Sequence, residues 1–282
     1  MRAPCIQSDG HRARSPSGMS CRARRPDRCA PQIMAKTCAY CDAPSPLTKE
    51  HIWPNGFLKR GDFGVKFSAK ANKTFAGDLT ISDVCAKCNN GPLSSLDAHA
   101  CELFDRRFSK FVEPGATVPF TYDYGLLMRW LLKISFNSAR STGQDVALLG
   151  RYRETILAEY PCSPAFVAAY VATISPSLMM NSETGTTKKI YPHMARCGPL
   201  QIPGVDVSDI LVTRCVMINS FMFSLLITRT SGIRMSRVAA LLPHIPGVPL
   251  ALDGRMRIGP PSLPAHVALG GVESWPRMGR PR

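Results

Sequence analysis

The sequence predicts an α+β protein in which a small cysteine-clamped unit near the N-terminus is followed by helices packed on an antiparallel sheet. Three observations carry this. Two Cys-x-x-Cys pairs, Cys38/Cys41 and Cys85/Cys88, bracket a segment broken repeatedly by proline and glycine. Beyond it, apolar residues recur at three- and four-residue steps, as on amphipathic helices. After Pro161 and Pro164 the chain becomes rich in Val, Ile, Tyr, Phe and Met, as strands are.

In chain order, residues 1–33 are rich in Arg, Pro and Ser and show no helical or strand period. Such a segment buries too little apolar surface to offset its ordering entropy, so a disordered basic arm is expected. It reads either as a tail that grips DNA or as a stretch ahead of a true start at Met34, and the abrupt change in composition favours the second.

Residues 34–115 form the clamped unit. Pro44, Pro46, Pro54, Gly56, Gly61, Gly64 and Gly77 divide it into strand-length pieces. A unit with so little core needs a staple. Leu93, Leu96, Ala100, Leu103, Phe104, Phe108 and Phe111 then lie on one helical face, which predicts a helix starting near Asn90. Residues 116–242 are expected to be an α+β accessory region. A second helix is predicted over Tyr124–Ser141, with charged Arg129, Lys133 and Arg140 between its apolar positions, and a third over Asp145–Glu159. Strands are predicted over Phe166–Ile174, Lys188–Ala195 and Ile210–Thr228. The longest apolar stretch, Val216–Ile227, is too short to span a bilayer and reads as buried strand. Residues 243–282 read as a Pro/Gly-rich tail.

The chain of 282 residues is 45% hydrophobic and long enough to bury a core. Its formal charge of +15 favours a polyanionic partner, because Lys and Arg gain from neutralising phosphates and releasing counterions. Eleven cysteines with only two closely spaced pairs argue against a secreted disulfide framework. The N-terminus lacks the apolar stretch of a signal peptide, so a cytoplasmic protein without a membrane segment is expected.

Cys38-Ala39-Tyr40-Cys41 and Cys85-Ala86-Lys87-Cys88 each place two thiolates on a tight turn, and two such turns supply the tetrahedral sulfur shell that zinc prefers. The separation of the pairs implies an element inserted between them. That element holds Lys49-Glu50-His51-Ile52-Trp53-Pro54, and Asn89-Asn90-Gly91 follow the second pair.

The run Cys-x-x-Cys, Glu-His-Ile-x-Pro, Cys-x-x-Cys-Asn-Asn, over about residues 38–97, resembles the HNH endonucleases, in the subgroup with a four-cysteine zinc site around a ββα-metal (His-Me finger) core. The resemblance implies that His51 is the general base, taking a proton from the water that attacks phosphorus. It makes Glu50 a ligand of a catalytic Mg²⁺ or similar divalent ion and Asn89 the other ligand, with Asn90 as fallback. Zinc on Cys38, Cys41, Cys85 and Cys88 would be purely structural. Imidazole suits a base because it titrates near neutrality, and Mg²⁺ takes hard oxygen ligands. One departure stands out: many members carry a middle Asn five residues before the third cysteine to orient the base, and this chain has Thr80 there. Asn72 is a candidate substitute.

Lys49, Lys59, Arg60, Lys66, Lys70 and Lys73 are candidates for phosphate contact, and Asp97 and His99 can approach from the following helix. The expected activity is divalent-metal-dependent hydrolysis of DNA phosphodiesters, with RNA a further candidate substrate. The rival is a non-catalytic, zinc-stabilised nucleic-acid-binding protein. A zinc deaminase would need His-x-Glu with Pro-Cys-x-x-Cys, and a zinc protease His-Glu-x-x-His; both strings are absent. His193, Cys162, Cys197 and Cys215 read as core or surface residues rather than a second site.

Overall fold

The computed structural model describes residues 36–270, apart from 62, 64–65, 69–72, 76–78, 159–161, 181–182, 202–205, 240–244 and 261–262. The arm at 1–33, Lys70, Asn72 and the last twelve residues lie outside the described residues. In chain order the elements are β1 (Leu47–His51), α1 (Asn55–Gly61), β2 (Lys66–Ser68), β3 (Lys73–Phe75), β4 (Thr80–Cys85), α2 (Ala86–Cys88), α3 (Ser94–Leu103), β5 (Val118–Thr121), α4 (Tyr124–Thr142), α5 (Val146–Gly150), α6 (Arg153–Leu157), β6 (Val167–Ser175), β7 (Ser177–Met180), β8 (Thr187–Ile190), β9 (Ala195–Pro199), β10 (Leu211–Ile218), β11 (Phe221–Thr228), α7 (Met235–Ala239), β12 (Val248–Pro249), β13 (Arg255–Ile258), β14 (Leu263–Pro264) and α8 (Ala265–Gly270).

β1 pairs antiparallel with β4, and β4 runs directly into α2. The pairing shifts register between Thr48 and Glu50: Thr48 faces Val84 but Glu50 faces Ile81, so Ser82 and Asp83 lie opposite Lys49 alone. Such a bulge bends the strand and re-aims the side chains beside it. Helical backbone starts at Ala86, four residues ahead of the expected Asn90, because Cys85 caps it. The Cys85 sulfur accepts from the Cys88 amide. A wider turn at Asn89–Leu93, kinked at Gly91 with Pro92 inside, leads into α3, and another at Phe104–Phe108 ends the run.

The larger sheet has the order β12-β6-β11-β10-β9, with β14 added in parallel to β6. The expected single strand over Val216–Ile227 is instead the two arms of a hairpin. Ile218 faces Phe221 across a turn whose Asn219 has φ +47°, a left-handed conformation that Asn tolerates. The expected strand over 188–195 stops at Ile190 and resumes at Ala195; Pro192, in the gap, has no N–H to give a ladder. The third helix divides into α5 and α6.

α4 is close to the expected second helix. Asp123 accepts from the Leu126 amide at its start, and Gly143 at φ +83° closes its end through a bond to the Ala139 carbonyl. It packs on the sheet as expected, but two of its polar positions do not face solvent. Lys133 and Asn137 are buried along with Trp130, Leu131 and Ile134, since α4 lies against both α3 and the sheet strands β9 and β10.

One core cluster runs from Cys38, Phe57 and Leu96 through Trp130 to Val216, Phe223 and Ile258, so no break in packing falls at the expected 115/116 boundary. The hairpin turn joins the two regions directly. Asn219 Nδ2 donates to Phe108 O at 2.8 Å and Ser220 Oγ accepts from the Val112 amide at 2.9 Å, so buried sheet residues satisfy the end of the helical run. The expected tail beyond 243 is corrected as far as residue 270. β13 pairs with β5 and β12 with β6. Gly254, at φ +72°, brings the β13 end so close to Tyr122 O that an added Cβ would lie 2.1 Å from it. Among the described residues, no helix is long and apolar enough to cross a membrane.

Candidate metal centre

The two cysteine pairs meet. Cys38, Cys41, Cys85 and Cys88 place their sulfurs within 4.8 Å of one another, a cluster that can hold a metal ion such as zinc. Cys41 Sγ lies 3.7 Å from Cys85 Sγ. The edge of a tetrahedron of sulfurs about 2.3 Å from zinc is about 3.8 Å, so the spacing fits that ion. Amides turn toward the sulfurs as in a metal knuckle: Cys85 N to Cys38 Sγ at 3.3 Å and Cys88 N to Cys85 Sγ at 3.5 Å. Burial pushes the Cys88 and Cys41 thiols up. It pushes Cys85 up as well, but hydrogen bonds from the Cys88 amide and the neighbouring thiols outweigh it and bring that thiol down to about 7. Among the described residues every cysteine is unbridged.

The first knuckle is tied to β4 by Ala39 N to Asp83 O at 2.8 Å, inside the bulge. Arg153 on α6 reaches Asp42 at 2.7 Å from the other side, and its guanidinium holds the Asp42 carboxyl below its ordinary range. The knuckle therefore fixes β4, and β4 fixes β1.

Glu50 and His51 end β1. Glu50 is 3% exposed, and its carboxylate is turned inward, with Oε1 2.8 Å from Lys133 Nζ. The same ammonium lies 2.5 Å from Asp97 Oδ1 on α3. Lys133 is fully buried, so both carboxylates compensate a charge that water cannot reach. Burial pushes the Asp97 carboxyl up to about 6, against the opposing pull of Lys133; the neighbouring Glu50 adds to the rise and His51 counters it. His51 itself is half-buried. The chain after it is anchored by Trp53, whose ring lies 5.6 Å from Phe57 and 6.1 Å from Trp130, so His51 sits between a buried ion pair and a buried aromatic wedge.

The Asn89 side chain reaches across to β1. Its Nδ2 donates to Thr48 Oγ1 at 2.9 Å and to Lys49 O at 3.0 Å, which clips the start of the helical run to β1 one residue before Glu50. Thr80 pairs directly across from His51 and is exposed, so it does not replace a buried asparagine. Asp97 approaches the site through Lys133. His99 faces other charges, Asp123, Glu102 and Arg106, and its burial lowers its pKa.

Among the expected phosphate contacts, Lys49 and Lys59 are exposed. Arg60 is committed to Asp105, at 2.9 and 3.0 Å, and to Gly56 O. Lys66 and Lys73 lie on β2 and β3. His193 bonds the Gly61 carbonyl at 2.5 Å and packs against Phe63, a structural tie between the sheet side and α1.

Sequence reasoning missed three residues of α4. Lys133, Asn137 and Arg140 recur at i, i+4 and i+7, which places them on one helix face. That face meets the site: Lys133 bonds Glu50, Asn137 bonds Glu50 and His51, and Arg140 bonds Asp83 at 2.5 Å. The spacing was visible, but it reads equally as a solvated stripe. A cleft of about 630 Å³ opens beside Ala39 of the first knuckle, lined by Arg140, Arg151, Arg153 and Asp83 together with apolar residues of α4 and α5. Compared with known protein families, curated proteins and solved structures, the chain matches none of them.

Proposed function

We propose that this protein is an HNH-type endonuclease that hydrolyses DNA phosphodiester bonds, with zinc on Cys38, Cys41, Cys85 and Cys88 as its structural staple. One observation carries the reading. The Glu50-His51 strand lies antiparallel to the strand that ends in the second cysteine pair, and Asn89, next after that pair, bonds back to Lys49. Two strands and a helix start thus bring Asn89 back to the strand that carries the adjacent Glu50 and His51, as a ββα-metal core would.

In this reading His51 accepts the proton of a water that attacks phosphorus. A divalent ion held by the Glu50 carboxylate and the Asn89 amide oxygen would, when bound, offset charge on the leaving oxygen. Lys133 and Asn137 hold Glu50 Oε1, so such an ion would have to be taken by Oε2 of this buried carboxylate. The bonds from Asn89 Nδ2 to β1 orient its amide. The Arg-lined cleft offers donors to backbone phosphates beside the knuckle, in keeping with the charge of +15.

A second reading, a non-catalytic zinc-stabilised nucleic-acid-binding protein, draws on one specific observation: Lys133 already neutralises Glu50, which weakens its claim on a second cation. Plasmid nicking with Mg²⁺, wild type against His51→Ala, separates the two. The nuclease reading expects nicking that the substitution abolishes. Equal cleavage by both proteins removes His51 as the base, and DNA binding without cleavage by wild type supports the second reading.

A further inference from the structure

We propose that Asn137, on α4 and outside the zinc-clamped unit, is the positioning residue for His51. The inference rests on the nuclease reading above and adds a residue that the sequence resemblance does not reach. Asn137 is fully buried, and its side-chain amide is used at both ends. Nδ2 donates to His51 O at 3.1 Å and to Glu50 Oε1 at 3.3 Å. Oδ1 accepts from Tyr40 Oη at 2.6 Å and from Arg140 Nη2 at 2.5 Å.

These partners also settle which way the amide faces. A guanidinium only donates, so the atom facing Arg140 must be oxygen; a backbone carbonyl only accepts, so the atom facing His51 O must be nitrogen. Two donor hydrogens and two acceptor lone pairs meet four partners, and a fully satisfied buried amide holds one orientation.

Each partner is itself fixed. Tyr40 lies between Cys38 and Cys41 in the first knuckle, and its ring meets Phe136 edge-on at 5.3 Å. The Arg140 guanidinium lies over the rings of Tyr40 and Phe136, at 4.9 and 4.6 Å, and is anchored to Asp83 in the β4 bulge. A continuous set of bonds thus runs from the metal knuckle through Tyr40 and Asn137 to the His51 carbonyl and the Glu50 carboxylate. A bond to the His51 carbonyl fixes the peptide from which the imidazole projects. Thr80, across the strand from His51, is exposed and leaves that work to α4. The region after residue 115 therefore completes the site rather than merely accompanying it.

The test uses the zinc-loaded full chain. Asn137→Asp keeps an oxygen for Tyr40 and Arg140 and removes the donor to His51; Asn137→Ala removes both; Tyr40→Phe loosens only the far end. The expected result is a fall in kcat of about 10- to 100-fold for both Asn137 variants, with KM within about twofold. Zinc per chain should stay unchanged, and Tyr40→Phe should give a smaller fall. Amide hydrogen exchange over residues 50–53 should quicken in Asn137→Asp. Wild-type kcat in both Asn137 variants overturns the inference, as does a loss that merely follows loss of zinc while Tyr40→Phe is fully active. If wild type cleaves nothing, the nuclease reading falls on its own, and the exchange measurement decides Asn137: unchanged protection at 50–53 overturns its positioning role, and quickened exchange supports it.

Discussion

Lys133 Nζ lies 2.8 Å from Glu50 Oε1 and 2.5 Å from Asp97 Oδ1, so one buried ammonium on α4 joins the end of strand β1 to helix α3. Removing one member of a buried ion pair costs more than the pair contributes, because it strands the remaining charge. Lys133→Ala should lower the stability of the zinc-loaded protein by about 3–5 kcal/mol, read from urea unfolding. Adding Glu50→Gln and Asp97→Asn to a Lys133→Met background should recover much of that loss. An unchanged midpoint in Lys133→Ala would show that the triad carries no net stabilisation.

The cysteine cluster gives a direct metal prediction. Wild type should bind one zinc per chain by native mass spectrometry, and Cys38→Ser or Cys88→Ser should abolish stoichiometric binding. Chelation should lower the melting temperature, since binding to the folded state alone stabilises it. Wild type that takes up no zinc on reconstitution would rule out the proposed staple.

Asp97 predicts a pH signature. Burial raises its folded-state pKa to about 6, from an ordinary value near 3.8. Between those values the folded state binds more protons than the unfolded state. Its contribution to stability is therefore full below about pH 4 and falls as pH rises toward 6. Zinc release in acid superimposes an opposite trend, so the quantity to measure is the difference between wild type and Asp97→Asn. Wild type should lose stability relative to Asp97→Asn across that window, and parallel profiles would contradict the assignment.

The hairpin turn offers a test of the seam between the cysteine-clamped unit and the sheet. Asn219 has φ +47°, donates to Phe108 O and accepts from the Met194 amide at 3.3 Å. Asn219→Ala leaves both backbone groups without their partner and puts alanine in a left-handed conformation. A loss of about 2–4 kcal/mol is expected, with a single cooperative transition that includes zinc release. Separate transitions for metal loss and unfolding would mean that the two regions fold independently.

For the Arg-lined cleft, Arg151 is the member to test, because it is exposed and holds no acidic partner in the hydrogen bond it makes to Arg229 O. Arg151→Ala should weaken DNA binding and reduce the slope of log K against log salt by about 1, with zinc content unchanged. An unchanged slope would remove this cleft from the proposed DNA-binding surface.

Some of this was legible in the residue order. The paired cysteines announce a cluster that can hold a metal because a two-residue gap on a tight turn presents two sulfurs to one point, whatever surrounds it. The ends of α4 were readable for the same local reason, since Asp123 and Gly143 act on backbone groups three or four residues away. The hairpin at Asn219-Ser220 is marked in the sequence only by that polar pair, which reads equally as two polar residues within one long buried strand.

What the sequence determined by itself is therefore whatever depends on neighbours along the chain: the knuckles, the limits of α4, the strand-rich second half and the adjacency of Glu50 to His51. The tertiary structure alone decided that Lys133 and Asn137 face inward, that Glu50 has an ammonium as its partner, and that one core spans both regions. The physical reason is that helix spacing says which side chains share a face but not what packs on it. A polar stripe reads the same whether it meets water or a buried carboxylate.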